Sequence, residues 1–427
     1  MLPFYSKKCS GVMNILTDSY MKTSNFESKN FYNGIKMSDV YIVSAARTPI
    51  GNLNGTLSKL PASDLGAIVV KEVLNRANVN AADVDEVILG QTLSAGARQN
   101  PARQASLKAG VPQNVPAFSL NMLCGSGLKS LYLGFLSIKA GESSVLVCGG
   151  QESMSSAPHV VHLRSGFKLG STDLTDTILL DGLTDALHGI HMGDTAENCN
   201  KKYKNTREEQ DAFAARSQHL AETAQKNGYF DAEIVPVPIQ GRDGFTLFDK
   251  DEFPKHGTTI EALAKLKPCF DDNGSVTAGN VSGINDSAAA VLLMSQNEAQ
   301  KRGVKPLARI VAFGQAGLDP LIMGMGTAYA VKVVLEKAGW SKDEVDLYEL
   351  NEASAAVSVS VNKELNIDPS KININGGSVA LGHPLGASGC RVLVTLIYAL
   401  KRTGGRKGVA SLCIGGGMGI AIAIELL

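Results

Sequence analysis

From about residue 40 onward, two kinds of apolar pattern alternate along the chain. Stretches with apolar residues three and four apart predict helices, and short apolar runs bounded by glycine or charged residues predict buried strands. The pattern also repeats. GAIVVKEVLNRANVNAADVDEVILG, from Gly66 to Gly90, reads as helix, turn and strand, and so does AVKVVLEKAGWSKDEVDLYELNE, from Ala330 to Glu352. Likewise CGSGLKSLYLGFLSIKAGESSVLVCGG from Cys124 parallels GASGCRVLVTLIYALKRTGGRKGVASLCIGGG from Gly386. Each of the second pair is a small-residue turn, a helix apolar nearly all round, a polar loop and a short buried strand ending in glycines. An internal duplication predicts architecture before any chemistry is considered, and a helix apolar on most of its surface belongs inside a large protein. The expected fold is therefore α/β, with two pseudo-repeated halves and buried helices between their sheets.

The stretch from about Ser155 to Ile284 breaks this rhythm. It is polar and turn-rich and holds one clear amphipathic helix, TREEQDAFAARSQHLAETAQKNG, with Thr206 as its N-cap and Gly228 past its end. It reads as an inserted cofactor-binding subdomain; the competing reading is an insertion that serves oligomer contacts. The division expected is an N-terminal extension over 1–37, a first half over 38–154 plus 285–305, a loop domain over 155–284 and a second half over 306–427. The extension is rich in Ser, Asn, Lys and aromatics and has no Arg, while Asp18 and Glu27 add acid. That composition fits a tail, or a start placed upstream of Met37, better than a transit peptide. The cytoplasm is the compartment expected, with the mitochondrion second.

Composition narrows the classes. A chain of 427 residues exceeds what one hydrophobic core usually supports. Lys plus Arg and Asp plus Glu both number 41, so bulk charge offers nothing to nucleic acid or to an anionic membrane. The longest apolar runs, such as Ala288 to Met294, fall short of the roughly 20 residues of a membrane span. Seven cysteines, an odd number spread along a long chain, fit a reducing compartment. No CxxC or HExxH pattern occurs, so no metal site is expected.

Four residues stand in settings that could carry chemistry. Cys124, in LNMLCGSGLKSL, ends an extended stretch and opens a buried helix, where amide N–H groups and the positive end of the helix dipole favour thiolate. Buried cysteines are more often inert core residues. His383, in NGGSVALGHPLGASG, sits between glycine and Pro384 on the matching turn of the second half. The repeat sets these two turns at equivalent helix starts, so a pseudo-twofold axis brings imidazole and thiol face to face. Cys413, in VASLCIGGGMG, precedes three glycines whose exposed N–H groups suit an oxyanion. Asn351, in ELNEASAA, ends another repeated strand and is either an amide donor or an ordinary strand-end cap. Cys148 reads as core, and Cys9, Cys199, Cys269 and Cys390 have no comparable setting.

Taken in order, LNMLCGSG, GGQESMS, HMGDTAEN, TAGNVSGINDSAAA, NEASAA, GGSVALGHPLGASG and LCIGGGMG resemble the successive signatures of the thiolase family. The resemblance runs from Val40 to the C-terminus. Within the family, EFPKHG, KLKP and GHPLGASGCR are most similar to the cytosolic acetoacetyl-CoA branch. The resemblance implies a thiolase fold layered α-β-α-β-α with an inserted loop domain that binds coenzyme A, in a homotetramer. It implies that two acetyl-CoA condense reversibly to acetoacetyl-CoA and CoA, with these thioesters as substrates and no tightly bound cofactor. By position, Cys124 matches the acyl-accepting nucleophile, His383 its activator and Cys413 the acid and base for the second substrate. Asn351 matches the residue holding the water of one oxyanion hole, shared with His383; the N–H groups of Cys124 and Gly415 match the other. His191, Met192, Ser282 and Met323 match positions lining the pantetheine and acetyl pocket. Leu183, Phe270 and Ala278 are implied on the CoA-binding side, and Lys255 stands where a basic residue neighbours the nucleotide.

Three features depart from the family's pattern. Ser354 replaces the aromatic of the usual NEAFA. Gly326, Thr327, Ala328, Tyr329 and Ala330 replace the usual GPxxA, with its stiffening proline. Gln218 occupies the place of a Tyr associated with potassium, so potassium activation is not expected. The alternatives are a 3-ketoacyl-CoA thiolase of fatty-acid degradation, a ketoacyl-synthase-type condensing enzyme, and a catalytically silent CoA-binding protein on the same fold.

Overall fold

The computed structural model describes residues 38–427 apart from Phe167 and Asp243, and the N-terminal extension lies outside that range. Nine strands build the central sheet: β1 (Val40–Arg47), β2 (Glu86–Gly90), β3 (Ala117–Leu120), β4 (Val145–Ser153), β5 (Asn285–Ser295), β6 (Ala308–Gly317), β7 (Leu347–Leu350), β8 (Lys407–Ile414) and β9 (Met418–Leu426). Their order is β7-β8-β9-β6-β1-β5-β4-β2-β3, and the short strand Gly51–Asn52 pairs with β5. The duplication is visible in the pairing. From β1 outward the contacts to β5, β4 and β2 run antiparallel, antiparallel and parallel, and from β6 outward those to β9, β8 and β7 run the same way. The two halves meet where β1 and β6 pair over Tyr41–Arg309 and Ile42–Ala308. In the first half β2 pairs with β3 in parallel; at the matching place in the second half a single parallel bridge, Tyr348–Ile372, remains.

Strand periodicity sends alternate side chains to opposite faces, and here both faces are covered. On β5, Ala289, Val291 and Leu293 enter the central core, while Ala288, Ala290, Leu292 and Met294 face outward onto α1 (Ala62–Ala77) and α2 (Pro101–Lys108). On β9, Ile420, Ile422 and Ile424 enter the same central core, while Ala421 and Ala423 face α6 (Gly326–Ala338) and α7 (Ala355–Leu365). Between the half-sheets lie α3 (Ser126–Ala140) and α8 (Leu385–Thr403). The layers are therefore α-β-α-β-α. Each Leu, Ile or Val taken fully from water in this core contributes about 1.5 to 3 kcal/mol before entropy is counted.

The two central helices are not buried alike. α8 is buried at every position from Leu385 to Ile397, as the sequence leads one to expect. On α3 only one side is buried, and Leu136 on the other is 43% exposed. All-round apolarity thus predicted the burial of α8 and over-predicted that of α3. The helices cross at their first turns, glycine on glycine. A Cβ at Gly127 would stand 2.8 Å from the Cys390 nitrogen, and one at Gly389 would stand 2.4 Å from the Leu128 nitrogen. This crossing brings the two predicted turns together.

Residues 155–284 run between β4 and β5, which are neighbours in the sheet, so this stretch is an insertion in the topological sense. It carries α4 (Met192–Tyr203) and α5 (Arg207–Lys226). α5 starts where its sequence says it should: the Thr206 hydroxyl accepts from the Glu209 N–H and the Glu209 carboxylate accepts from the Thr206 N–H. Asp39–Leu427 as a whole forms one compact unit. No helix among the described residues is long and apolar enough to cross a membrane.

Candidate active site

Cys124 lies between β3 and α3, on a turn shaped by its neighbours. Leu123 adopts a left-handed backbone with φ of 49°, rare for a branched side chain. The turn holds it there: the Asn121 side-chain Oδ1 accepts from the Leu123 N–H at 2.8 Å, and the Ser126 hydroxyl donates to the Leu123 carbonyl at 2.6 Å. The backbone N–H groups of Cys124 itself and of Gly415 point at the sulfur and favour its anion. Burial outweighs them. Although Cys124 is partly exposed, the surrounding protein pushes its thiol up to about 12, with help from Cys413 and Glu152. The expectation of a resting thiolate is not met, because loss of solvation is the larger effect. Attack on a carbonyl then requires a base that removes the proton during the reaction.

His383 supplies a base of the right state. The Ser388 hydroxyl donates to the Pro384 carbonyl at 2.9 Å, so it accepts from His383 Nδ1–H at 2.7 Å. The proton therefore sits on Nδ1 and the lone pair on Nε2. Nε2 is buried and has no hydrogen-bond partner among the described residues. Burial, then the Arg391 charge, lowers the imidazole to about 3, so it is neutral at any physiological pH. The turn is anchored from the first half: Asn285 Oδ1 accepts from the His383 N–H at 3.0 Å.

Cys413 ends β8, 1% exposed, and its thiol acts electrostatically on that of Cys124. Burial raises Cys413 to about 11. Gly415 opens the turn to β9, and a Cβ there would lie 2.9 Å from Leu123 Cδ1 and 3.6 Å from Met192 Sδ. Asn351, just past β7, is buried. Its Oδ1 accepts from the Ser378 hydroxyl at 2.7 Å, and its Nδ2 has no partner among the described residues. A buried amide with two free hydrogens retains the capacity to donate.

A cavity of about 280 Å³ joins these turns. Of the residues singled out from the sequence, Cys124, His383, Gly415, His191, Met192, Ser282, Met323, Leu183 and Phe270 line it. His191 caps α4 through Nδ1, which accepts from the Gly193 N–H at 2.9 Å, and its ring stacks on Phe270 at 4.8 Å. Its other nitrogen therefore carries the ring proton. Cys413 and Asn351 are not among the lining residues, and Asn351 borders a separate, much smaller cavity with Thr327 and Leu350. Lys255 and Ala278 are exposed on the inserted segment and do not reach the cavity. Sequence reasoning missed Met154, Leu179, Ile284, Val357 and Leu385, which form much of the apolar wall. They are ordinary hydrophobic residues, and nothing local distinguishes a cavity wall from a core. Ser354 also lines the cavity, its hydroxyl committed to the Val357 N–H as the α7 N-cap. Among the described residues no group of three or more His, Cys, Asp or Glu is placed to hold a metal ion.

A protonated thiol, a neutral imidazole with a free nitrogen and two converging amides, set where two duplicated α/β halves meet, define a cysteine-dependent acyltransferase. The chain belongs to the thiolase family: the thiolase N-terminal domain matches residues 40–297 and the thiolase C-terminal domain residues 304–426. It is 56% identical over 388 residues to the cytosolic acetyl-CoA acetyltransferase of Mus musculus, covering 90% of this chain and 98% of that protein. To the acetyl-CoA acetyltransferase of Shinella zoogloeoides it is 54% identical over 386 residues, covering 90% and 98%. The crystal structure of the Bacillus anthracis acetyl-CoA acetyltransferase superposes with a TM-score of 0.90 at 46% identity, covering 92% of this chain and 99% of that one.

Proposed function

We propose that this protein is an acetyl-CoA C-acetyltransferase that interconverts two acetyl-CoA with acetoacetyl-CoA and CoA. The observation that carries this reading is the free Nε2 of a neutral His383 in the same cavity as the protonated Cys124, in a chain whose relatives bear that name. In the first half-reaction Nε2 takes the Cys124 proton, the sulfur attacks the thioester carbonyl, and the carbon–sulfur bond to CoA breaks as the departing thiolate takes the proton of the Cys413 thiol. In the second, the Cys413 thiolate so formed takes the α-proton of acetyl-CoA, the carbanion attacks the acetyl group on Cys124, and the departing Cys124 sulfur takes back the proton held by His383. Charge builds on a carbonyl oxygen in both. The amides of Cys124 and Gly415 serve one such oxygen; His383 and the water held by Asn351 serve the other. Losing one such donor costs about 2.7 to 4 kcal/mol in other acyl transfers.

The cavity wall takes the pantetheine and acetyl groups, with Lys255 and Ala278 nearer the nucleotide, and residues 155–284 act as the CoA-binding domain. No tightly bound cofactor takes part. We place the protein in the cytosol as a homotetramer, and sedimentation of the purified chain tests the assembly. The small Ser354 in the wall supports a second reading, turnover of longer 3-ketoacyl chains, which a chain-length series separates from the first. The deciding assay mixes acetoacetyl-CoA with CoA and follows loss of the ketoacyl thioester, with Cys124→Ala as control. Turnover by the parent and none above background in the variant is the expected result; equal rates would overturn the assignment.

A further inference from the structure

We propose that Glu152 is a positioning residue: from the first half of the fold it caps the helix of the second half and so holds the His383 turn in register with Cys124. This rests on the roles given above to Cys124 and His383 and adds a group that touches neither substrate nor reacting atoms.

Helix α8 begins at Leu385 with Pro384 at its N-cap and no side-chain cap of its own. The first N–H groups of a helix have no partner within it, and in a fully buried first turn water is not at hand to serve them. Glu152, at the end of β4, is 0% exposed. Its Oε2 accepts from the Gly386 N–H at 2.8 Å and from the Thr92 N–H at 3.0 Å, while Oε1 accepts from the Leu93 N–H at 3.2 Å. One carboxylate therefore binds three main-chain amides drawn from both halves. An anion at a helix start is also favoured by the helix dipole.

The fit leaves little room for another arrangement. A Cβ at Gly386 would lie 2.7 Å from the Gln91 Cα and 2.9 Å from Glu152 Oε2, so the bare backbone of the His383 turn is what allows this approach. Burial raises the Glu152 carboxyl to about 7 against the pull of the three amides. The carboxylate also carries an electrostatic cost to the chemistry. It stands near enough to Cys124 to disfavour the thiolate, so by charge alone its removal would help the nucleophile. Its benefit is geometric, and the two effects have opposite signs.

That opposition makes the test decisive. In the full-length protein at pH 8, Glu152→Gln is expected to lower kcat for acetoacetyl-CoA thiolysis about 10- to 100-fold, the scale of a small misplacement of reacting groups, with KM within about twofold. The pH midpoint for alkylation of Cys124 by iodoacetamide, read by peptide mass, is expected to move down. Glu152→Asp keeps the charge and shortens the reach, so kcat falls and the midpoint stays. If either variant keeps kcat within twofold of the parent, Glu152 does not position the turn. If kcat falls in Glu152→Gln while the midpoint holds or rises, the site has been disrupted and the proposal fails. Should Cys124→Ala retain turnover in the same assay, the roles assigned to the thiol and imidazole fall first, whatever the Glu152 variants do.

Discussion

The turn before α3 and the turn before α8 are the same structural device used twice, and they have diverged in how they treat their reactive side chain. The first presents Cys124 partly to solvent through a left-handed Leu123. The second closes over His383, which is 5% exposed and bonded through both its backbone N–H and its Nδ1. Burial acts on both, with opposite chemical results: it keeps the thiol protonated and the imidazole unprotonated. A nucleophile and a base of matched resting states thus arise from one physical cause applied to an acid and to a conjugate acid.

The largest effect that could break this comparison comes from removing either member. Cys124→Ala and His383→Ala should each lower kcat by about 10⁴-fold or more, and the double variant should cost little beyond either single one, because residues acting as a unit are not additive. Additive losses in steady-state thiolysis would mean the two turns work independently. Next, Cys413→Ala should slow condensation by about 10² to 10⁴, the range of general acid–base groups, while acetylation of Cys124 stays visible by mass. If labelling also disappears, the thiol of β8 belongs to the first step. Ser388→Ala sharpens the second turn alone: without its acceptor the Nδ1–H tautomer loses its bond, and kcat should fall about 10-fold with KM unchanged.

Two smaller effects concern stability. Gly127→Ala forces a methyl against the backbone of α8 and should cost about 1 to 3 kcal/mol in urea unfolding, whereas Gly141→Ala, at a left-handed position open to solvent, should cost less. The pH dependence follows from His383. Its folded value, about 3, lies below the ordinary 6.5, so its contribution is fully present above the unfolded value. It is lost as pH falls from there toward the folded value, at roughly 1.4 kcal/mol per unit. His383→Gln should therefore flatten the stability profile between those limits; an unchanged acid limb would show that the imidazole is not held neutral.

Much of the fold and the outline of the site could be read from local pattern. The paired helix–turn–strand segments around Gly66 and Ala330 align in the sheet as β2 and β7, because apolar period and turn residues act over short stretches. Cys124, His383 and Gly415 could be singled out because glycines and a proline around them restrict the backbone in recognisable ways. The apolar wall could not, since Leu179 or Val357 differs from a core residue only in having a cavity beside it. Glu152, within GGQESMS, carries no local mark of its role, because its partners Thr92, Leu93 and Gly386 are distant in the chain.

By itself, then, the sequence determined the duplicated α/β halves, the two small-residue turns and the chemical types standing on them, because each depends on neighbours a few residues away. The tertiary structure decided which turn is open and which is closed, the proton's place on His383, the raised thiol of Cys124 and the bond from Glu152 to Gly386. Those depend on desolvation and on contacts between residues up to 234 positions apart. No local pattern encodes how much water a distant segment will exclude.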